Sequence, residues 1–415
     1  MPERTGCCVV GGGPAGLMLA VVLARGGVAV TVLEKHDDFL RDFRGDTVHA
    51  STLTLLDELG LGERFSAMPQ RVVQHLPLPL QAGTSFVVDL GLLPGPHKHI
   101  VMVPQWEFLE LLADAGRQEP SFTLRRGVEV TGLLREHGRV VGVRYLDADG
   151  SDGELRAALT VACDGRTSAV RGASGLRVRE FGVPMDIWWF RVPRRGADLQ
   201  GLDVRVDDAA LLVMIDRGGY FQVGYQIRKG SDARLRAEGI EAFRRRIAAL
   251  APELADRLGA VRGWDDVKLL AVRLDRMPRW FDPGLLCIGD AAHAMSPVGG
   301  VGINLAIQDA VAAARYLAAP VGRGEVRLGD LARVQVRRWA PTFVTQSLQR
   351  LAHRLVFQPV LSGPLGQGDG GPHRPSRLTR LLRRFPRLQA IPAYIVAIGA
   401  LPEHAPSFAR RSSSE

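Results

Sequence analysis

Gly11, Gly13 and Gly16, with Pro14 and Ala15 between the last two, follow the apolar run of residues 7–10 and open a long apolar stretch. A Gly-x-Gly-x-x-Gly turn between a strand and a helix lets backbone N–H groups approach a pyrophosphate, where the positive end of the helix favours negative charge. Glu34 ends the next apolar run, residues 28–34, and a carboxylate at that place binds ribose hydroxyls. Lys35 follows it as a further cofactor candidate. Together residues 6–34 form one complete β-α-β nucleotide-binding unit. Glycines alone would be weak evidence; the strand before them, the helix after them and the acidic residue beyond make them specific.

Two later segments carry related chemistry. Residues 164–171 read DGRTSAVR and follow an apolar run ending at Cys163; residues 289–304 read GDAAHAMSPVGGVGIN and lie between a strand and a helix. Asp290 is a loop carboxylate able to accept a hydrogen bond from a hydroxyl group. The backbone at Pro297, Gly300, Val301, Gly302, Ile303 and Asn304, at a helix start, can hold negative charge developing on a bound group. In this order and spacing the three segments resemble the FAD-dependent aromatic hydroxylase family, the single-component flavoprotein monooxygenases related to p-hydroxybenzoate hydroxylase. The resemblance covers most of the chain.

That resemblance implies FAD as resident cofactor and NADPH or NADH as a transient reductant. It implies insertion of one oxygen atom from O2 into an aromatic or polycyclic organic substrate through a flavin hydroperoxide, chemistry that belongs to the cofactor. No catalytic side chain is assigned. Asp164 is implied to serve both the FAD pyrophosphate and the incoming nicotinamide, Arg44 and Gln105 to contact the cofactor, and His293 to be structural. Local similarity at residues 44–52, 103–109 and 391–404 points to hydroxylase-like relatives in bacterial secondary metabolism and aromatic degradation. His49, in the first of these stretches, is placed either near the flavin or in a structural role. Two rival functions remain. Residues 188–193 (WWFRVP) loosely echo a flavin-dependent halogenase signature, and a flavin-binding protein without turnover is the non-enzyme alternative.

The elements expected to position these groups form an α/β fold: an FAD-binding Rossmann-like domain of the glutathione-reductase type with an inserted antiparallel substrate sheet and a C-terminal helical region. Residues 1–75, 98–180 and 268–330 are assigned to the first, 76–97 and 181–267 to the second, and 331–415 to the third. Helices are expected at 51–65, with Ser51 as cap, at 104–115 and at 302–318. Strand-like runs at 186–192, 211–215 and 220–225 supply Trp188, Met214, Tyr220 and Gln222 as substrate-binding candidates, with Pro297 from the flavin loop and Phe190 and Tyr225 as further aromatics. Because alternate strand residues face opposite sides, half of these are expected to be core. Few charges fall in these strands, which favours a bulky, weakly charged aromatic or polyketide-like substrate. The net charge of +9 is spread along the chain and carried almost wholly by arginine, which argues against a nucleic-acid partner. No apolar run is long enough to span a membrane and no secretory signal is visible, so a cytoplasmic protein is expected. Cys7, Cys8, Cys163 and Cys287 read as reduced core residues, and no metal site is expected. Substrate identity, NADPH against NADH and oligomeric state are not written in the sequence.

Overall fold

Cys7, Cys8, Val9 and Val10 are followed by no polar alternation, and Val30–Glu34 is buried throughout. Strands of this kind belong in a parallel sheet covered on both faces. In the computed structural model, which describes residues 3–40, 47–81, 84–198, 200–206, 210–358, 361 and 390–412, they form its centre. Five strands run parallel in the order Leu285–Cys287, Asp152–Ala162, Glu3–Val10, Val30–Glu34, Phe122–Arg126. The strands Arg139–Leu146 and Glu129–Glu136 branch antiparallel from Asp152–Ala162, and Phe281–Asp282 pairs antiparallel with the edge strand Leu285–Cys287. Helix Pro14–Arg25 crosses between the first two strands of the chain. Its residues from Ala15 to Ala24 are all buried, and each fully buried Leu (Leu17, Leu19, Leu23) contributes roughly 1.5–3 kcal/mol.

The register is what builds a site. Leu33, Val10, Ala162 and Cys287 lie in one row across the sheet. The residues that follow them, Glu34, Gly11, Asp164 and Asp290, are thereby gathered at the carboxyl ends of the parallel strands, where open α/β sheets bind ligands.

The second module is an antiparallel sheet ordered Leu202–Val206, Leu211–Asp216, Tyr220–Arg228, Met185–Pro193, Lys268–Leu270. The hairpin His75–Gln81 with Thr84–Asp89 pairs only with itself. The helix expected at 51–65 is two, Ala50–Glu58 and Gly62–Ser66, because Gly60 takes a left-handed φ of +68° between them. His49, not Ser51, occupies the cap position, and Ser51 is buried inside the first turn. Helices Gln105–Arg117 and Gly302–Gly322 run slightly beyond their expected ends. The long helix Leu328–Ala352 and the helix Ala390–Ala397 follow. Arg44 and the Gly/Pro stretch 363–373 lie outside the described residues. Among those described, no helix is long and apolar enough to cross a membrane. The four cysteines are unpaired; burial pushes the Cys7 and Cys287 thiols up to about 12.

Candidate active site

The N-terminal glycines are dictated by backbone contacts. Gly11 has φ +104°, and a Cβ there would meet Cys163 O at 2.6 Å; a Cβ on Gly16 would lie 1.9 Å from Gly11 O. At Gly13, by contrast, a Cβ would meet nothing within 4 Å. The helix that begins at Pro14 has no side-chain cap and no acidic residue in its first turn, so its positive end faces open space. Glu34 is held in place: Oε2 accepts from Gly12 N at 2.8 Å and Oε1 from His36 N at 3.0 Å. An open, uncapped helix end beside a fixed buried carboxylate fits the pyrophosphate and ribose of a dinucleotide. Lys35 is exposed beside it.

The two later motifs meet each other. Arg166 Nε donates to Asp290 Oδ2 at 3.0 Å, and Arg171 donates to Ala291 O at 3.0 Å and to Arg166 O at 2.6 Å. Asp164 instead turns inward, its Oδ2 accepting from Val170 N at the start of helix Ala169–Ser174. Burial raises its carboxyl above the usual range against the hydrogen bonds it accepts from Ser168 and Val170. His293 is buried against Trp280 and bonded through Nε2 to Asp309 Oδ2 at 2.5 Å. Asp309 also accepts from Gly289 N and Arg338 Nε, both within 3.1 Å. His293 therefore belongs to the scaffold of the motif.

The flavin loop turns on Gly299 and Gly300, with φ of +81° and +65°. Helix Gly302–Gly322 then begins with neither a side-chain cap nor an acid in its first turn. Asn304 ties the loop to residues 47–52: Oδ1 accepts from His49 N at 2.9 Å and Thr52 Oγ1 at 2.8 Å, while Nδ2 donates to Thr47 O at 3.3 Å. Its side chain is thus spent on the protein, although its backbone remains at the helix start. Gln105 begins its helix half-buried. His49 is the residue whose placement sequence left open. Its Nδ1 bonds to Val396 O at 2.7 Å, and a carbonyl only accepts, so Nδ1 carries the hydrogen and Nε2 presents a bare lone pair. That Nε2 is buried without a partner, 3.5 Å from where a Cβ on Gly300 would sit.

Burial pushes His49 down to about 4, against the Val396 hydrogen bond, and does the same to His353, which bonds to Ser296 Oγ. The unfolded chain takes up these protons near 6.5 and the folded protein only near 4. Stability is therefore complete above pH 6.5 and falls as pH drops towards 4, by about 3 kcal/mol per histidine at the lower end. Urea midpoints should decline steadily between pH 7 and 4.5, and His49→Asn should flatten the decline. A midpoint that stays constant to pH 5 would contradict both placements.

The inserted sheet has two unlike faces. Trp188, Phe190, Met214, Val223 and Tyr225 pack against helix Ile240–Leu250 and the turn that follows it. Trp188 Nε1 donates to Asp232 Oδ1 at 2.6 Å. Trp188 and Met214 thus stand on the face turned from the flavin loop, because strand neighbours alternate. Ile187, Leu211 and Val213 share a cluster with Val298 of that loop, and Trp189, Val213 and Ile215 share one with Ala50 and Met102. Gln222 and Tyr220 are also on this side, paired across the ladder with Arg191 and Pro193. Gln222 accepts from Arg217 Nε at 3.1 Å, and Arg191 lies over the Tyr220 ring. Trp189, read from sequence only as part of the 188–193 stretch, and Gln226 are not among the substrate candidates named there. Trp189 lies across Gly224, and both Trp189 Nε1 and Gln226 Nε2 are buried without a hydrogen-bond partner. Period-2 alternation was visible in the sequence, but nothing in it said which face meets the cofactor domain.

Residues 4–346 match the family model described as FAD binding domain. The sequence is 34% identical over 360 residues to 6-methylpretetramide 4-monooxygenase of Streptomyces rimosus, covering 85% of this chain and 85% of that enzyme. The chain belongs to the FAD-dependent aromatic hydroxylase family. Like other members of this family it is an FAD-dependent monooxygenase that consumes a nicotinamide reductant and acts on a small organic substrate. The hydroxylase shares its fold with OxyS anhydrotetracycline hydroxylase from Streptomyces rimosus, at TM-score 0.73 and 24% identity over 95% of this chain and 76% of that one. The flavin-dependent brominase Bmp2 superposes at TM-score 0.75 with 16% identity, over 95% and 94% of the two chains, a likeness of fold alone. The halogenase-like stretch 188–193 is simply the body of strand Met185–Pro193.

Proposed function

We propose that this monooxygenase hydroxylates a polycyclic, phenol-bearing aromatic of polyketide type, with O2 as co-substrate, in the cytoplasm. The observation that carries this is the inner sheet face. It sets Ile187, Leu211 and Val213 against the flavin loop and Trp189 against Ala50 and Met102, and on this same face two N–H donors, Trp189 Nε1 and Gln226 Nε2, are unspent. A broad apolar wall excludes water and stacks flat rings, while sparse buried donors orient them through oxygen substituents. Buried donors without a partner cost free energy, so a ligand that supplies acceptors gains from filling them. The similarity to 6-methylpretetramide 4-monooxygenase of Streptomyces rimosus supports the same class.

Gly11, Gly13, Pro14, Ala15, Gly16, Glu34 and Lys35 would hold the adenosine diphosphate end of FAD. Gln105, Asp290 and the backbone at Pro297, Gly300, Val301, Gly302 and Ile303 would hold the flavin end, with Arg44 as a further contact. Bound FAD supplies hydride acceptance from the nicotinamide and activation of O2. The protein keeps water out, sets the substrate's orientation and offers the His49 lone pair beside the loop.

Consumption of NADPH and of NADH by the FAD-loaded protein, followed with a panel of monocyclic and tetracyclic phenols, tests this. A true substrate should speed nicotinamide oxidation at least about tenfold, a barrier change of about 1.4 kcal/mol, and should yield a product one oxygen heavier. Trp189→Ala and Gln226→Ala should raise KM for that substrate. Halide-dependent products, or oxygenation only of monocyclic phenols, would overturn the proposal.

A further inference from the structure

The two modules are joined by a short strand pair, Arg179–Phe181 with Leu274–Arg276, in which Arg179 and Arg276 stand directly opposite each other. Arg350, from helix Leu328–Ala352, reaches the same place. The three guanidinium carbons lie 5.4, 5.7 and 4.7 Å from the centroid of one ring, Phe181. Like charges directly opposite on a ladder repel. Most arginines in this protein are matched with carboxylates or carbonyls, but among the described residues none of these three guanidinium groups has a hydrogen-bond or ion-pair partner. The Arg276 guanidinium is pushed down by burial and then by Arg179 and Arg350, with no carboxylate acting the other way. Such convergence is what a phosphate dianion satisfies, through the planar forks of arginine.

An aromatic surface adjoins the cluster. Arg276 also lies over Trp339 at 5.4 Å and Phe343 at 5.1 Å. These two rings are stacked 5.0 Å apart and 13° from parallel, and they are 40% and 42% exposed. Exposed flat rings beside arginine forks are the elements that stack a nucleobase next to its phosphate. The position fits the reaction. Asp275, the neighbour of Arg276, turns the other way, accepting from Ala294 N at 3.0 Å and lying 3.9 Å from Arg171. One side of the strand thus braces both cofactor motifs while the other carries the arginines. The sequence contains a single glycine-rich dinucleotide unit, taken by FAD, so a second nucleotide has to be recognised by side chains.

We propose that Arg179, Arg276 and Arg350 take the 2′-phosphate of NADPH, and the Trp339–Phe343 surface its adenine, so that NADPH rather than NADH is the preferred reductant. The proposal rests on the monooxygenase assignment for the identity of the nucleotide.

Calorimetric titration of the FAD-loaded protein with adenosine 2′,5′-bisphosphate, adenosine 5′-monophosphate and inorganic phosphate tests it without turnover. The bisphosphate should bind at least about tenfold tighter than the monophosphate. Arg276→Gln should bring the two within about twofold, Arg276→Lys should recover part of the preference, and Trp339→Ala should weaken both nucleotides while leaving inorganic phosphate unchanged. The KM ratio of NADH to NADPH should fall in parallel. Equal affinity of the parent for the two nucleotides, or a preference that survives Arg276→Gln, would overturn the site. Flavin content of each variant reports its folding; should Arg276→Gln lose flavin, Arg350→Gln carries the same comparison. A parent that bound no FAD would refute the monooxygenase assignment instead.

Discussion

Gly16→Ala should produce a protein without flavin and with clearly lowered stability, whereas Gly13→Ala should lose flavin and keep its stability. The two glycines are three residues apart but answer to different constraints. A methyl group on Gly16 would fall 1.9 Å from Gly11 O and 3.2 Å from Val9 Cγ1. The turn leaves little room to retreat, since a Cβ on Gly11 would likewise fall 2.6 Å from Cys163 O. Overpacking of rigid backbone at this depth costs about 3 kcal/mol or more. Gly13 has φ −77° and ψ −176°, which alanine adopts without strain, and its Cβ would stand in open space. That space is where a pyrophosphate would approach the helix end. Flavin-to-protein absorbance ratios and urea midpoints separate the two effects. Full flavin content in Gly13→Ala would show that the pyrophosphate does not lie there.

Asp309→Ala should cost about 3–5 kcal/mol of folding stability and release FAD as well. Asp309 has no exposed surface. Burial by itself would raise its pKa, but His293 and Arg338 outweigh it and hold the carboxyl below the ordinary range. Removing it leaves Arg338, 1% exposed, with only the Leu401 carbonyl and a 3.6 Å approach to Glu403. It also strips the acceptor from Gly289 N, which fixes the turn presenting Asp290. Because the loss comes from an unpaired buried charge, Asp309→Leu combined with Arg338→Met should be less destabilised than Asp309→Ala. Urea unfolding of the three proteins at pH 7, with bound flavin measured alongside, checks both parts. A double variant less stable than the single one would show that the pair contributes more than mutual charge compensation.

The same network explains one limit of sequence reading. His293 could be recognised as structural only through family resemblance, because its partner Asp309, and Arg338 which shares that carboxylate, are 16 and 45 positions away and lie on two helices. Likewise the burial of Glu403 beneath Arg315, Arg337 and Arg338 joins positions far apart in the chain.

What the sequence determined by itself is whatever depends on consecutive residues. Gly11 to Gly16 after an apolar strand requires a turn with exposed N–H groups, and the apolar runs around Val9, Val32 and Leu286 require a parallel sheet buried on both faces. Spacing then orders the motifs, and the family resemblance they carry implies the cofactor. Tertiary structure decided everything that depends on which side an element turns. Trp188 and Trp189 are adjacent in a strand, so one enters the core beneath a helix and the other packs on the opposite face with Ala50 and Met102; only the docking of the sheet selects which. Asp164 and Asp290 look alike as loop carboxylates, but the helix starting at Ala169 draws the first inward while Arg166 holds the second at the surface of the crevice. The unpaired arginines had no sequence signal at all. Arg179, Arg276 and Arg350 converge because a ladder and a helix from distant parts of the chain close over one phenyl ring, and charge convergence of that kind exists only in three dimensions.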